Sequence, residues 1–174
     1  MSREGVSEDR VRAIFEASYT RLVGQLYAVC GDLSEAEDVV AEAFAKAVQH
    51  RSKFERADNP EAWLRTVAVN LSRSRWRRRQ RGRRLERLAQ GQAQGDERHP
   101  EIGVERLAVI AALRRLPRPQ REAIALHYLA DLPLHEVATA TGVPLGTVKA
   151  RLSRGRTALA ALLAAHDEEL SHDR

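Results

Sequence analysis

The chain has 174 residues, with 26 Arg, 3 Lys and a formal net charge of +5. Its one cysteine, Cys30, excludes an internal disulfide and a thiolate metal cluster. No apolar run is long enough to span a bilayer, and the first residues, MSREGVSEDR, lack the shape of a signal peptide. The expectation is a soluble, cytoplasmic chain with no membrane insertion. Gly is sparse, while Ala, Leu, Arg and Glu are abundant, and no segment alternates with period two, so the predicted class is all-α.

Val11, Phe15, Ser18, Leu22, Leu26 and Val29 fall three or four apart and predict a first helix that Gly31 stops. Ser34 and Glu37 fit a capping box that opens a second helix, with Val40, Phe44, Ala47 and Val48 facing inward. His50 to Asn59 reads as a polar loop holding one aromatic residue, Phe54. Asn59-Pro60 is a cap followed by a proline at the first helical position. The third helix turns Trp63, Leu64, Val67 and Leu71 inward and continues into the arginines.

The charge is segregated. Residues 1–60 carry 8 basic and 11 acidic side chains, whereas residues 61–87 carry 10 Arg against Glu61 and Glu86. Such a block points to an anionic partner. Pairs such as Arg73–Arg77 and Arg75–Arg79 lie four apart, and the like-charge contacts together oppose the helix by roughly 1–2 kcal/mol in water. A polyanion would relieve them and release counterions. Trp76, inside the run, suits either stacking on an unpaired base or a fold back onto the helical core.

Ala89 to Pro100, AQGQAQGDERHP, lacks apolar periodicity and reads as part of a flexible linker over 89–103. It divides a first small helical domain, 7–88, from a second, 104–165, with a polar tail over 166–174. In the second half Val104, Leu107, Ile110, Ala111 and Leu113 form a helical stripe that Pro117 and Pro119 break. A helix over 120–130 follows, then a short one after Asp131-Leu132-Pro133, then a last one from Leu145 to about Ala165. Ala138, Gly142 and Val148 stand at relative positions 0, +4 and +10, the spacing of a helix-turn-helix. Val137, Val143 and Leu152 complete its small core. Thr147, Lys149, Ala150, Arg151, Ser153, Arg154 and Arg156 would form the exposed, basic face that reads base edges and phosphates in a major groove. The N–H groups near Leu145 to Thr147 could meet a phosphate.

No constellation for catalysis appears. His135-Glu136 is not followed by a second His, and Glu35, Asp38 and Glu42 lack the Glu-x-x-His partners of a di-metal site. No Walker loop, nucleophile elbow or nucleotide fingerprint is present. The expectation is a protein that is not an enzyme, with no cofactor, no metal and no small-molecule substrate.

The order of parts resembles a bacterial sigma factor of the extracytoplasmic-function group, from about Val11 to Leu163. Asp32 to Val48 resembles that family's core-polymerase-binding segment. Asn59 to Arg79 resembles its −10-reading, strand-opening segment. The residues LPRPQREAIALHYLADLPLHEVATATGVPLGTVKARLSRGR resemble its −35-reading domain. The resemblance implies core RNA polymerase and promoter DNA as partners, with an anti-sigma factor as a frequent third. It assigns Asp38, Val39, Glu42 and Phe44 to core binding. It assigns Phe54, Asn70, Arg73, Ser74, Trp76 and Arg77 to the −10 region, and the basic helix-turn-helix face to the −35 element. Ala41, Ser74 and Ala150 depart from residues common in the family at those positions. Two elements about 17 base pairs apart lie roughly 58 Å from each other, and about 13 linker residues reach about 45 Å when extended. The competing reading is a stand-alone helix-turn-helix regulator of duplex DNA, which would leave the second helix and the arginine run unused.

Overall fold

A computed structural model describes the backbone of residues 3–86 and 104–172, and side chains within 9–82 and 108–165. The linker reading, 89–103, lies outside the described residues. Every element described is helical: α1 (Arg3–Cys30), α2 (Leu33–Gln49), α3 (Arg51–Glu55), α4 (Pro60–Glu86), α5 (Val104–Arg115), α6 (Arg118–Ile124), a π-helical turn (Ala125–Leu129), α7 (Leu134–Thr141) and α8 (Leu145–His172). The last helix therefore runs past Ala165 to His172.

α1 ends where the Gly31 N–H closes a last turn on the Tyr27 carbonyl at 2.7 Å. The next residue caps α2. Asp32 is extended (φ −141°, ψ 125°), and its carboxylate accepts from the Glu35 N–H at 2.7 Å. The cap is thus Asp32, not Ser34. The chain leaves α1 only one residue earlier, so the first N–H groups of α2 point at Asp32, whose charge also suits a helix N-terminus.

Ala36, Val39, Val40, Ala43, Phe44 and Ala47 form the buried face of α2, a clean three-four spacing. Val48 falls off that face and is 46% exposed. The expected loop after α2 contains α3, formed because Phe54 anchors a helical turn. Its ring is 1% exposed and meets Trp63 edge-on at 5.4 Å. The Asn59 side chain caps α4, accepting from Ala62 N–H at 3.0 Å. Leu64, Ala68, Val69 and Ser72 form the deepest face of α4, with Trp63, Val67 and Leu71 half-buried at its edges. Arg65 is buried there too, donating to Gln25 Oε1 at 3.0 Å and to Glu61 at 3.2 Å.

In the second half, α6 begins at Arg118, two residues before the expected start. Pro119 sits in its first turn, where a missing N–H costs nothing. The Pro117 carbonyl receives the N–H groups of Gln120 and Arg121 at 2.9 and 3.0 Å. Gly142 takes the left-handed conformation (φ +66°) between α7 and α8, and its N–H reaches the Ala138 carbonyl at 2.8 Å. A residue with a Cβ is strained there. Val137, Val148 and Leu152 are buried beneath the turn. Gly155 permits the crossing of α8 over α6, since a Cβ there would lie 2.9 Å from Ile124 Cγ1.

Buried residues of both halves belong to one contiguous cluster, from Leu22, Leu26 and Val29 through Leu113, Ile124 and Leu126 to Val137 and Val148. Arg121 reinforces the junction. Its Nε donates to the Val29 carbonyl at 2.9 Å and its Nη2 to the Cys30 carbonyl at 3.2 Å. These are unpaired carbonyls at the C-terminus of α1, where a guanidinium satisfies both hydrogen bonds and the helix dipole.

Candidate nucleic-acid and polymerase interfaces

The helix-turn-helix presents its second helix to solvent. Lys149, Ser153, Arg154 and Arg156 are exposed, and Thr147, Ala150 and Arg151 are half-buried. Thr147, Ala150, Arg151 and Arg154 follow one three-four stripe, with Lys149, Ser153 and Arg156 on the adjoining one. The Thr147 N–H differs from expectation. It is bound to the Pro144 carbonyl at 2.9 Å, as is that of Val148 at 3.1 Å. The turn that sets the helix direction uses those donors.

On α4, Asn70, Ser74 and Arg77 are exposed, while Arg73 and Trp76 are half-buried. The arginines do not simply repel one another, because several meet carboxylates of other helices. Arg75 contacts Asp38 and Glu42 of α2, Arg79 pairs with Glu35, and Arg73 lies 3.5 Å from Glu122 of α6. The acidic second helix and the basic fourth thereby offset each other's charge. Arg77, Arg78 and Arg81 remain exposed.

Trp76 is neither free nor in the core. The guanidinium carbon of Arg118 stands 5.4 Å from its ring centroid, a cation–π arrangement. A cavity of about 80 Å³ is lined by Arg73, Trp76, Arg77, Arg118, Pro119, Glu122 and Arg151. It joins residues expected at the −10 region to one expected at the −35 element. Burial pushes the Glu122 carboxyl above its ordinary range, opposed by Arg73, Arg118, Arg151 and Arg121. Neither Glu122 Oε1 nor Arg118 Nε has a hydrogen-bond partner. Below the cavity, Arg118 donates to Ser72 Oγ, which in turn donates to Glu35 at 3.3 Å and lies 3.1 Å from Cys30 Sγ. Desolvation raises the Cys30 thiol to about 12. The sequence offered little to mark this network, beyond Ser72 falling on the inward face of α4.

On α2 the four residues expected at the polymerase separate. Asp38 is exposed and Glu42 half-buried, but Val39 and Phe44 are 0% and 6% exposed. The helical period turns those two into the core, so α2 offers Ser34, Asp38, Ala41 and Ala45 to solvent instead. Phe44 closes an aromatic cluster with Phe15 at 5.0 Å and Tyr19 at 6.3 Å, and Phe15 is 41% exposed. Phe54, expected at the −10 region, is 1% exposed, with its ring packed edge-on against Trp63. Among the described residues no His, Cys, Asp and Glu group could hold a metal ion, and no helix is long and apolar enough to cross a membrane.

A four-helix, charge-sorted first half followed by an exposed basic helix-turn-helix defines a promoter-reading protein of the sigma-70 class. Residues 14–82 match Sigma-70 region 2, and residues 106–159 match Sigma-70 region 4. The chain is 32% identical to the ECF RNA polymerase sigma factor EcfG of Rhodopseudomonas palustris (strain TIE-1), over 89% of this chain and 86% of that one. It is also 32% identical to the ECF RNA polymerase sigma factor SigW of Bacillus subtilis (strain 168), over 76% and 78% of the two chains. Among solved structures it is similar to the sigma factor RpoE of Bartonella quintana, crystallised with the anti-sigma factor NepR. That match has a TM-score of 0.71 and 26% identity, and covers 90% of this chain and 96% of that one. The chain belongs to the ECF sigma factors of the sigma-70 family, and it directs transcription as they do.

Proposed function

We propose that this sigma factor docks on core RNA polymerase through the exposed face of α2, reads and opens the −10 region with α4, and reads the −35 element with α8. The observation that carries the reading is the exposed basic face of α8, which follows α7 across the left-handed Gly142 turn. In this reading Lys149, Arg151 and Arg154 contact bases, and Thr147, Ala150, Ser153 and Arg156 line the groove and its phosphates. Asn70, Arg73, Ser74 and Arg77 follow the non-template strand, and Trp76 stacks on an unpaired base. Asp38 and Glu42 give α2 its acidic docking face. The chain supplies recognition and binding energy and catalyses no reaction itself. It works in the cytoplasm, where polymerase and promoter are found.

The solved relative in complex with an anti-sigma factor supports a similar partner here, with the exposed Phe15 and Val48 of the first half as apolar surface for it. A stand-alone regulator is not favoured, since it gives α2 and α4 no task.

The test is initiation by core polymerase with the purified chain on promoters mapped for it. Arg73→Ala and Trp76→Ala should slow strand opening on the −10 element while leaving core binding intact. Equal strand opening by both variants would remove the assignment of α4.

A further inference from the structure

Tyr128 is an aromatic residue that the fold turns outward. It lies in the π-helical turn Ala125–Leu129, where the Ala130 N–H closes on the Ala125 carbonyl at 3.0 Å. A turn of this width displaces the apolar stripe by about one residue. Ala125 and Leu126 are buried, but Tyr128 and Leu129 are 50% and 43% exposed. The His127 ring supports the phenol edge-on, with ring centroids 4.7 Å apart and planes at 67°. His127 is itself held, its Nδ1 donating to the Leu132 carbonyl at 2.7 Å.

The phenol meets the recognition helix. Arg156 Nη1 of α8 donates to the Tyr128 hydroxyl oxygen at 3.5 Å. The Tyr128 O–H proton has no acceptor among the described residues, and the remaining guanidinium N–H groups of Arg156 are equally free of one. Two donors, one of them charged, therefore stand side by side at the surface. A hydroxyl that accepts from a cation is polarised and donates more strongly. The pair suits an acceptor-only anion with more than one oxygen.

Its place on α8 says which anion. Arg156 stands about 16 Å along the helix from Leu145. The first turns of a recognition helix meet base edges, and residues farther along meet the DNA backbone. Tyr128 lies outside α8 and widens the basic face at that far end.

We propose that Tyr128 and Arg156 clamp one phosphate of the duplex at the edge of the −35 element. The Tyr128 hydroxyl donates to one non-bridging oxygen and the Arg156 guanidinium to the other. The clamp reads no sequence; it fixes the register in which Lys149, Arg151 and Arg154 meet the bases. It rests on the assignment of α8 given above.

The experiment uses holoenzyme reconstituted from core polymerase and the full chain, on a promoter mapped for it. Tyr128→Phe removes only the hydroxyl and keeps the ring against His127. Leu129→Ala trims the neighbouring exposed apolar side chain. Promoter affinity is measured on an intact −35 element, on one with a single base change, and on a series in which each backbone phosphate near the element is replaced in turn by a neutral methylphosphonate. The expected result for Tyr128→Phe is about fivefold weaker promoter binding, by the same factor on the intact and the altered element. Leu129→Ala should bind as the unmodified chain does. One methylphosphonate position should weaken the unmodified chain strongly and the double variant Tyr128→Phe, Arg156→Ala hardly at all. Full promoter affinity of Tyr128→Phe, or an identical phosphate profile in the double variant, would overturn the clamp. So would weaker binding of Tyr128→Phe and Leu129→Ala to core without DNA, which would make this surface a protein contact. Lys149→Ala and Arg154→Ala, measured on the same promoters, separate the two claims: lost base discrimination in them beside an unaffected Tyr128→Phe removes the clamp and leaves the α8 assignment standing.

Discussion

The guanidinium of Arg75 bridges two carboxylates of α2, lying 3.5 Å from Asp38 and 2.7 Å from Glu42. Through this contact α4, proposed to read DNA, and α2, proposed to dock on polymerase, hold each other in place. The Asp38 side chain is 66% exposed and that of Glu42 39%, so solvent screens both pairs and each contributes at most about 1 kcal/mol. Their value lies in placement rather than in stability.

Replacing Asp38 and Glu42 together by Lys should therefore weaken core binding while lowering thermal stability only slightly, within about 1 kcal/mol per pair. A pull-down with core polymerase, run beside a circular-dichroism melt, checks both. Full affinity for core with an unchanged melt would count against α2 as the docking face.

Lys149→Ala and Arg154→Ala should each reduce −35-dependent initiation by about 1–3 kcal/mol for a lost base contact. Both residues are exposed on α8, so the fold should be untouched. Abortive initiation on promoters with intact and scrambled −35 elements measures the effect. Unchanged discrimination in both variants would remove the recognition-helix assignment.

Gly155→Leu should destabilise the second half by about 1–3 kcal/mol, because α8 crosses α6 with no room for a side chain. A Cβ alone would meet Ile124 Cγ1 at 2.9 Å and Gln120 Cβ at 3.4 Å. Gly146→Leu, where nothing lies within 4 Å, is the matched control. Equal melting temperatures for the two variants would contradict the close crossing.

Cys30 should resist alkylation in the folded chain. Its thiol is buried, and desolvation holds its pKa at about 12, so almost no thiolate exists at pH 8. Reaction with iodoacetamide should run at least about a hundredfold slower than for free cysteine, and full reactivity should return in denaturant. Rapid labelling without denaturant would show that the end of α1 is not covered as described.

Local chemistry was legible in the sequence wherever a residue type has one structural use. Ala138, Gly142 and Val148 announced the helix-turn-helix, because a positive φ at Gly142 and a buried Val148 are what that turn needs. Asn59-Pro60 announced the start of α4, and the Asn59 side chain does cap it. The cap of α2 was harder. Asp32 and Ser34 both suit the role, and only the path of the chain out of Gly31 selects Asp32.

Contacts between distant residues were not legible. The spacing of α2 placed Phe44 inward, where it lies, but also Val48, which is exposed, while the family resemblance placed Val39 and Phe44 at the partner surface. An amphipathic pattern fixes its phase to within about one residue, and the neighbours α1 and α4 decide the rest. Nothing local tells Arg121 that it will satisfy carbonyls of α1 some ninety residues away, as its bonds to Val29 and Cys30 do. The arginine run looked self-repelling for the same reason. Its acidic partners Glu35, Asp38, Glu42 and Glu122 are close in space and remote in sequence.

The most direct test of the central claim is the affinity of the purified chain for bacterial core RNA polymerase, measured beside its affinity for promoter-free duplex DNA. Tight association with core, together with weak and salt-sensitive binding to DNA alone, is the predicted result. No affinity for core, with strong sequence-specific duplex binding by the free chain, would contradict it.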